Sequence, residues 1–326
     1  MNPLLDRRLL FVTGKGGTGK TTAAAALADL AVRAGKRVLV VEMDAKGAIA
    51  AAFEVPSLGF EPTEASPGLW LMAMNTEDSL REYLRVVARV PLVGRIGPLA
   101  RTFDFVADAA PGVKEILAIG KVCWEVRERH YDLVIVDAEA SGHIVAQIDA
   151  PRAIRELVQV GPVREQTDWM LRILDDPAST GVVVVTTPEE MPVTESVELV
   201  QQVRTRTKVD VAAVLVNRLL SPWFDGTDRS VFDALSSDRA RAALADAVGG
   251  KAGSKVTDVL GAASLAQHRA DVAAEHVARL HDGLPDGMPV LFTPELFTKA
   301  SGRRVVTLMA DHLAAHHAAE LHEGLR

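Results

Sequence analysis

The sequence of 326 residues has a single cysteine, Cys123, and therefore cannot form an internal disulfide. A zinc or iron–sulfur site made of several cysteines of one chain is excluded for the same reason. Cys123 falls in a helical pattern, so a small buried apolar side chain is the simplest interpretation, with a bridge between two chains as the alternative. The chemistry of the protein must come from other residue types.

Aromatic residues and long apolar runs are also scarce. Aromatics make up 5% of the chain, so the core is expected to be aliphatic. No apolar run approaches the roughly 18 residues of a membrane-spanning helix. The first run, residues 9–12, leads directly into a glycine-rich loop, which is typical of a core strand and not of a signal peptide. A cytoplasmic location is expected.

The sequence has no excess of basic residues. Its formal net charge of −7 disfavours general binding to nucleic acid or to anionic membranes. Apolar residues make up 48% and charged residues 24% of the chain, which is an ordinary globular composition. The length fits one α/β domain with a sizeable insertion.

Short β-rich runs alternate with long helical stretches. Residues 182–185 are four consecutive valines, which is typical of a strand covered on both faces of a parallel sheet. The fold class is therefore α/β: a doubly wound, mostly parallel sheet whose ligand sites lie beyond the carboxyl ends of its strands. The predicted strands are residues 9–13, 38–44, 69–75, 133–137, 182–187, 211–217 and 290–293.

Two helical stretches, residues 76–130 and 221–285, are too long to be simple connections. We predict that both are inserted into the sheet domain and form one helical subdomain. The nucleotide-binding α/β core then comprises residues 1–75, 131–220 and 286–326.

The strongest motif is GKGGTGKTT over residues 14–22, between a predicted strand and an Ala-rich helix. It fits the P-loop pattern, in which backbone amides and a helix N-terminus bind phosphates. Lys20 is expected to reach the β- and γ-phosphates in catalysis, and Thr21 to bind Mg²⁺. The predicted nucleotide contacts of the loop are Gly14, Lys15, Gly16, Gly17, Thr18, Gly19, Lys20, Thr21 and Thr22.

Lys15 is a second lysine in this loop, which distinguishes the deviant Walker group of P-loop ATPases. In that group this lysine reaches the nucleotide of a partner subunit. We therefore predict a catalytic Lys15 at a dimer interface, with a solvated surface lysine as the alternative.

Acidic residues end two predicted strands. Asp44 is expected to face the phosphates and to orient the attacking water, with a loop-capping aspartate as the alternative. Asp137 is expected to join Thr21 at the Mg²⁺ that accompanies ATP. Gly142 follows soon after, where a backbone amide could reach the γ-phosphate and swing away when it leaves.

The ordered motifs GKGGTGKTT, VLVVEMDAKG, LVIVDAEASGHIVAQIDAP, TTPEEMPVTES and VLVN resemble those of the ArsA-type ATPases. That family comprises arsenite-pump ATPases and the ATPase that targets tail-anchored membrane proteins, within the larger group of MinD and ParA. The chain looks closest to actinobacterial anion-transporting-ATPase-like subunits, which occur beside a related ATPase. The resemblance implies Mg-ATP hydrolysis, a homodimer or a heterodimer with a related ATPase, and a hydrophobic or membrane-protein client.

The resemblance also implies individual roles. Asp44 matches the water-activating acid of switch I, Asp137 the Walker B acid, and Gly142 with His143 the Gly-His pair of switch II. Three further matches concern the nucleotide base or the dimer face: Asn217 as the adenine-recognising residue, the pair Pro188 and Glu189, and Pro289 at the start of a loop (289–296) that closes over adenine.

The sequence departs from the family pattern in both switches. Switch I reads DAKG over residues 44–47 where the family usually has Asp-Pro-Ala-His, and Ala140 replaces a proline of switch II. The Cys-x-x-Cys zinc clamp and the arsenite-binding cysteines are absent, so neither a zinc-clamped homodimer nor metalloid transport is expected. Two alternatives stay open: a MinD/ParA-like positioning ATPase, and a nucleotide-binding scaffold subunit that barely hydrolyses ATP.

Overall fold

The computed structural model describes residues 4–87, 113–224, 226–235 and 237–323. Eight strands form one sheet in the order β3-β4-β2-β5-β1-β6-β7-β8. Each neighbouring pair is parallel except β3 and β4. The strands are β1 (Leu9–Gly14), β2 (Val38–Glu42), β3 (Thr63–Ser66), β4 (Leu69–Ala73), β5 (Leu133–Ala140), β6 (Thr180–Thr186), β7 (Val211–Leu219) and β8 (Val290–Pro294).

Helices connect most of the strands and cover both faces of the sheet. In the described part of the chain they are α1 (Lys20–Arg33), α2 (Ala48–Phe53), α3 (Thr76–Val87), α4 (Val113–Glu128), α5 (Ser141–Leu157), α6 (Pro162–Leu174), α7 (Glu190–Arg206), α8 (Gly226–Leu235), α9 (Asp238–Val248), α10 (Gly250–Gly253), α11 (Val256–Gly283) and α12 (Arg303–Glu323).

Two large apolar clusters hold these layers together, one on each face of the sheet. Alternate residues of β2 and β5 enter different clusters: Val41 and Val136 pack with α4 to α7, whereas Val40 and Ile135 pack with α1, α2 and α12. Both faces of the strands are therefore buried, which explains their unbroken apolar runs. The expected doubly wound, mostly parallel sheet is confirmed.

Strand ends differ from the sequence-based prediction in places that bear on function. β2 ends at Glu42, so Asp44 lies in the following loop and not on the strand. β3 was not predicted, because its polar sequence TEAS lacks the apolar alternation of a strand; it pairs antiparallel at the edge of the sheet. β5 and β7 extend beyond their predicted ends, to Ala140 and Leu219.

The two predicted insertions contain helices wherever the structure describes them. Residues 88–112 of the first insertion lie outside the described residues. In the second, Phe232, Val256 and Leu260 form a small apolar cluster of their own. The division of the chain into a core and a helical subdomain stays a prediction. Cys123, on α4, is buried in the sheet core, as expected for a small apolar side chain, and burial raises the pKa of its thiol.

Within the described ranges, no helix combines the length and the apolar character that crossing a membrane would require.

A close approach between backbones fixes the residue type at position 14. Gly14 ends β1 with φ of 148°, and a Cβ at this position would overlap the carbonyl oxygen of Val185 on β6. Gly17 also has a positive φ, of 88°, but a Cβ at this position would have open space around it. Backbone conformation thus requires glycine at both positions, whereas packing requires it at Gly14 alone.

We predict that Gly14→Ala lowers the free energy of unfolding by at least about 2 kcal/mol, because a clash with a backbone carbonyl cannot be relieved by a side-chain rotation. Gly17→Ala is the matched control and should cost about 1 kcal/mol, the conformational strain alone. Urea unfolding followed by circular dichroism measures both values. Equal losses in the two variants would contradict the importance of the close approach.

Candidate phosphate- and metal-binding site

Most of the predicted site residues gather where the parallel strands of the sheet end. The glycine-rich loop (residues 14–19) connects β1 to α1, whose first residue is Lys20. The neighbouring strands β5 and β6 flank β1, and β2 lies beside β5. Side chains that follow these strands therefore surround the loop, as the rule for ligand sites in such sheets requires.

The glycine-rich loop is closed around one carbonyl group, that of Lys15. The Thr18 hydroxyl donates a hydrogen bond to this oxygen at 2.9 Å, and the Lys20 ammonium donates another at 3.3 Å. Gly19 has φ of 92° and leads directly into α1, while Gly16 and Gly17 are exposed. The loop is thus preformed, with exposed backbone and the N-terminus of α1 available to an anion.

Thr21 and Asp137 form the central contact of the site. The Thr21 hydroxyl donates a hydrogen bond to Asp137 Oδ2 at 2.7 Å. Asp137 is 7% exposed, and its Oδ1 is buried without a hydrogen-bond partner among the described residues. Burial raises the pKa of Asp137 to about 6, and Glu42 and Asp44 contribute to the increase, whereas the Thr21 hydroxyl and Lys20 oppose it.

Glu42 is a buried carboxylate that the sequence analysis missed. It ends β2, directly beside Asp137 of β5 in the parallel register, and is 2% exposed. Its Oε1 accepts a hydrogen bond from the Ala48 amide at 2.7 Å, and its Oε2 is buried without a partner in the described part of the chain. An acid that ends the apolar run VLVV was the available signal.

Asp44 lies in the loop between β2 and α2 and contacts a neighbour. Its Oδ2 accepts a hydrogen bond from the Lys46 ammonium at 2.8 Å, and its side chain is 39% exposed. Two residues of this loop have positive φ, Ala45 at 48° and Gly47 at 77°. The prediction of Asp44 at a strand end is corrected by this geometry: a tight loop, and not the strand, determines where its carboxylate points.

Lys20 lies among charges of both signs. Burial lowers the pKa of its ammonium, and the positive charge of Lys46 adds to this effect, whereas Asp137 and Asp44 oppose it. These four side chains are therefore close enough to influence one another. The structure brings Lys20, Thr21, Asp44 and Asp137 together, and their roles stay predictions.

The predicted switch II segment lies beside the glycine-rich loop. Ala140 of β5 pairs with Gly14, and the Thr13 hydroxyl donates to the carbonyl of Glu139 at 3.1 Å. Gly142 is exposed in the first turn of α5, where an amide can face a ligand, and His143 is exposed next to it.

Lys15 forms an ion pair within its own chain. Its ammonium contacts Oε1 of Glu195, which lies on α7 after the end of β6, and both side chains are partly exposed. No local sequence pattern indicates this partner, because 180 residues separate the two positions. Of the pair before α7, Pro188 is buried and Glu189 is exposed.

Asn217 connects three elements through its side-chain amide. Its Nδ2 donates to the carbonyl of Thr18 at 2.8 Å, and its Oδ1 accepts from the Thr293 hydroxyl of β8 at 2.9 Å and from the Arg218 amide. Asn217 is buried, and a Cβ at Gly19 would overlap its Nδ2. In this structure the side chain ties β7 and β8 to the glycine-rich loop.

Pro289 does not join the other predicted residues. It precedes β8, and its carbonyl accepts a hydrogen bond from the Val214 amide of β7. It therefore lies toward the other ends of the strands, where it lines a surface cavity with Arg7 and Asp210. Asn217 is three residues farther along β7, roughly 10 Å at about 3.3 Å per residue. After the carboxyl end of β8, the Glu295 amide donates to the carbonyl of Leu219 at the end of β7.

The groups around Thr21 fit a divalent cation accompanied by phosphate. Mg²⁺ prefers oxygen ligands and is usually bound by one or two carboxylates together with substrate phosphates. Thr21 supplies a hydroxyl, and Asp137 supplies a buried carboxylate oxygen that has no hydrogen-bond partner among the described residues. These residues would hold the cation.

Comparisons with known proteins agree with the geometry. The profile of a family described as anion-transporting ATPase matches residues 7–168 and 147–226. The chain is 30% identical over 250 residues to the ATPase BagA of Mycobacterium tuberculosis, covering 73% of each chain. It is 24% identical over 250 residues to the ATPase ASNA1 homolog of Entamoeba dispar, covering 65% of this chain and 76% of that protein.

We predict that Asn217→Ala weakens the binding of ATP and GTP by a similar factor of about 10, because it leaves a buried carbonyl of the loop unpaired, at a cost of roughly 1–3 kcal/mol. Calorimetric titration with each nucleotide measures the factor. An adenine-reading Asn217 would instead lose ATP affinity selectively. Thr293→Val is the matched control, because it removes only the contact on the β8 side and should have the smaller effect.

Proposed function

The chain belongs to the anion-transporting ATPase family, and we propose that it binds and hydrolyses Mg-ATP at the glycine-rich loop and works as a dimer. The single observation that carries the proposal is the hydrogen bond from Thr21 to the buried Asp137 directly behind this loop. It joins a hydroxyl and a carboxylate, the pair of ligands that P-loop ATPases offer to Mg²⁺.

Each residue at the edge of the sheet has a task in the proposed reaction. Exposed amides of the glycine-rich loop and the Lys20 ammonium would bind the β- and γ-phosphates. Thr21 and Asp137 would hold Mg²⁺, which neutralises charge on the phosphate oxygens when bound. The Gly142 amide would contact the γ-phosphate. When the phosphate leaves, the loss of this contact would allow α5 to move.

Asp44 would orient the attacking water. Water would form the new bond to the γ-phosphorus while the bond to the β–γ bridging oxygen breaks, and its proton would leave through the Asp44 carboxylate to the released phosphate. The Lys46 contact occupies Oδ2 of Asp44, so its opening makes both carboxylate oxygens available to water. Opening it costs little, since the pair is exposed to solvent.

A dimer is proposed because Lys15 has no ligand within its own loop. Its partner in the isolated chain is Glu195, and this partly exposed pair can be exchanged for the phosphates of a neighbouring subunit at small cost. A lysine donated in this way neutralises transition-state charge, as an arginine finger does in trans. The neighbour is either a second copy of this chain or a related ATPase.

The proposal extends to a hydrophobic or membrane-protein client. Support comes from apolar side chains that are exposed in the helical region of residues 221–285, where several belong to neighbouring helices. They are Trp223, Val231, Val248, Val259 and Leu265. Opening and closing of the dimer would change how these helices face each other across the two subunits.

We predict that Asp44→Asn keeps ATP affinity but lowers turnover by about 100-fold, the usual scale for a lost general base. Lys20→Ala should abolish measurable ATP binding, because the loop loses its phosphate ligand. Calorimetry and phosphate release measure the two effects. Wild-type affinity in Lys20→Ala would refute the nucleotide site, and a wild-type chain that binds ATP without measurable turnover would favour the scaffold alternative.

We predict that a non-hydrolysable ATP analogue dimerises the chain, alone or with a co-purified related ATPase, and that Lys15→Ala prevents this. Glu195→Gln frees Lys15 and should strengthen the dimer up to about fivefold, the equivalent of roughly 1 kcal/mol. Glu198→Gln is the matched control, since this glutamate is exposed on the same helix. Light scattering gives the mass in each case. A monomer under every condition would contradict the assignment of Lys15.

A further inference from the structure

We propose that Glu42 is the second carboxylate of the metal centre, and that with Asp137 it holds a divalent cation before any nucleotide binds. The two residues are called the carboxylate pair below. The proposal deepens the function proposed above and rests on it for the role of the cation. Nothing in the sequence patterns assigned a role to Glu42.

The sheet directs both members of the carboxylate pair to the same place. Glu42 and Asp137 are register partners on the parallel strands β2 and β5, so their side chains leave the same face of the sheet. That face is the one covered by α1, because the residues two positions earlier, Val40 and Ile135, pack in the cluster that contains α1. Thr21, in the first turn of α1, contacts Asp137 there.

Each member of the pair has one oxygen that is buried and unused. These are Glu42 Oε2 and Asp137 Oδ1, neither of which has a hydrogen-bond partner among the described residues. A buried carboxylate oxygen without a partner is costly, and two adjacent carboxylates repel each other as well. A cation with its bound waters between them would satisfy both oxygens.

The nearby ammonium groups do not contact the carboxylate pair. The Lys20 ammonium donates to the carbonyl of Lys15, and the Lys46 ammonium donates to Asp44. Within the described residues, neither forms a hydrogen bond or an ion pair with Glu42 or Asp137. A small divalent cation would balance the negative charge of the two carboxylates and use their free oxygens. Mg²⁺ suits this role, since it is commonly bound by one or two carboxylates and keeps several waters.

A purely structural role for Glu42 makes a different prediction. Its Oε1 accepts from the Ala48 amide and so anchors the start of α2 and the loop that carries Asp44. Glutamine at this position keeps an acceptor for Ala48 but loses the charge. Aspartate keeps the charge but is too short to reach Ala48 from the same backbone position. The two variants therefore separate the two roles.

The test uses the full chain without nucleotide and Mn²⁺ as the probe, with free Mn²⁺ followed by electron paramagnetic resonance. We expect one site in the wild type and a smaller loss of affinity in Glu42→Asp than in Glu42→Gln. Binding in Glu42→Gln should be at least about 10-fold weaker, since the loss of even an outer-shell partner has an effect of that size. Glu64→Gln, on exposed β3, removes a charge far from the site and should change nothing.

Two results would overturn the proposal. One is that the nucleotide-free wild type does not bind Mn²⁺. The other is that Mn²⁺ affinity depends on the Ala48 contact, so that it is kept in Glu42→Gln but lost in Glu42→Asp. Circular dichroism on every variant confirms that the fold is retained. Calorimetry with Mg-ATP on the wild type separates the two levels of inference. If the wild type binds ATP but no free Mn²⁺, only the proposed role of Glu42 is refuted. If it does not bind ATP, the proposed function is refuted.

Discussion

The hydrogen bond between Thr21 and Asp137 joins the first turn of α1 to β5 and places a carboxylate in the interior. That burial has a cost, visible in the pKa of Asp137, which is raised to about 6. The folded chain therefore binds this proton more tightly than the unfolded chain, and the contribution to stability that is present at low pH is lost as the pH rises through about 6. At neutral pH the ligand-free site carries a buried negative charge, and a cation that binds only the folded state would offset it.

Parallel pairing explains why these groups meet although they are far apart in the sequence. β1, β2 and β5 end at one edge of the sheet, and the register sets Glu42 beside Asp137 and Ala140 beside Gly14. The close approach of Gly14 to β6 keeps the start of the glycine-rich loop against the sheet. Asn217 then fixes the other end of the loop from β7. The geometry of the site is thus set mainly by the sheet and only locally by the loop.

Local patterns made the sheet, the glycine-rich loop and Asp137 predictable. Strands buried on both faces appear in the sequence as apolar runs, and the residues of the loop have a fixed spacing. What the sequence did not reveal depends on contacts across the fold. The Lys15–Glu195 pair and the Asn217–Thr18 bond each join residues more than 100 positions apart. Asp44 was misplaced because a tight loop with Ala45 at positive φ follows β2 sooner than the apolar pattern suggests.

Two lysines near the site are each held by a carboxylate of the same chain, Lys15 by Glu195 and Lys46 by Asp44. These pairs are exposed or partly exposed and therefore weak, whereas a triphosphate offers several negative oxygens. Under the proposed function, a lysine that moves to phosphate releases its carboxylate. Asp44 then becomes free for water, and Glu195 loses its partner on α7. Because binding equilibria are reciprocal, any contact that captures Glu195 or Asp44 must also favour the nucleotide-bound arrangement. The ion pairs therefore connect the phosphate site to α7 and to the loop after β2 at little cost in stability.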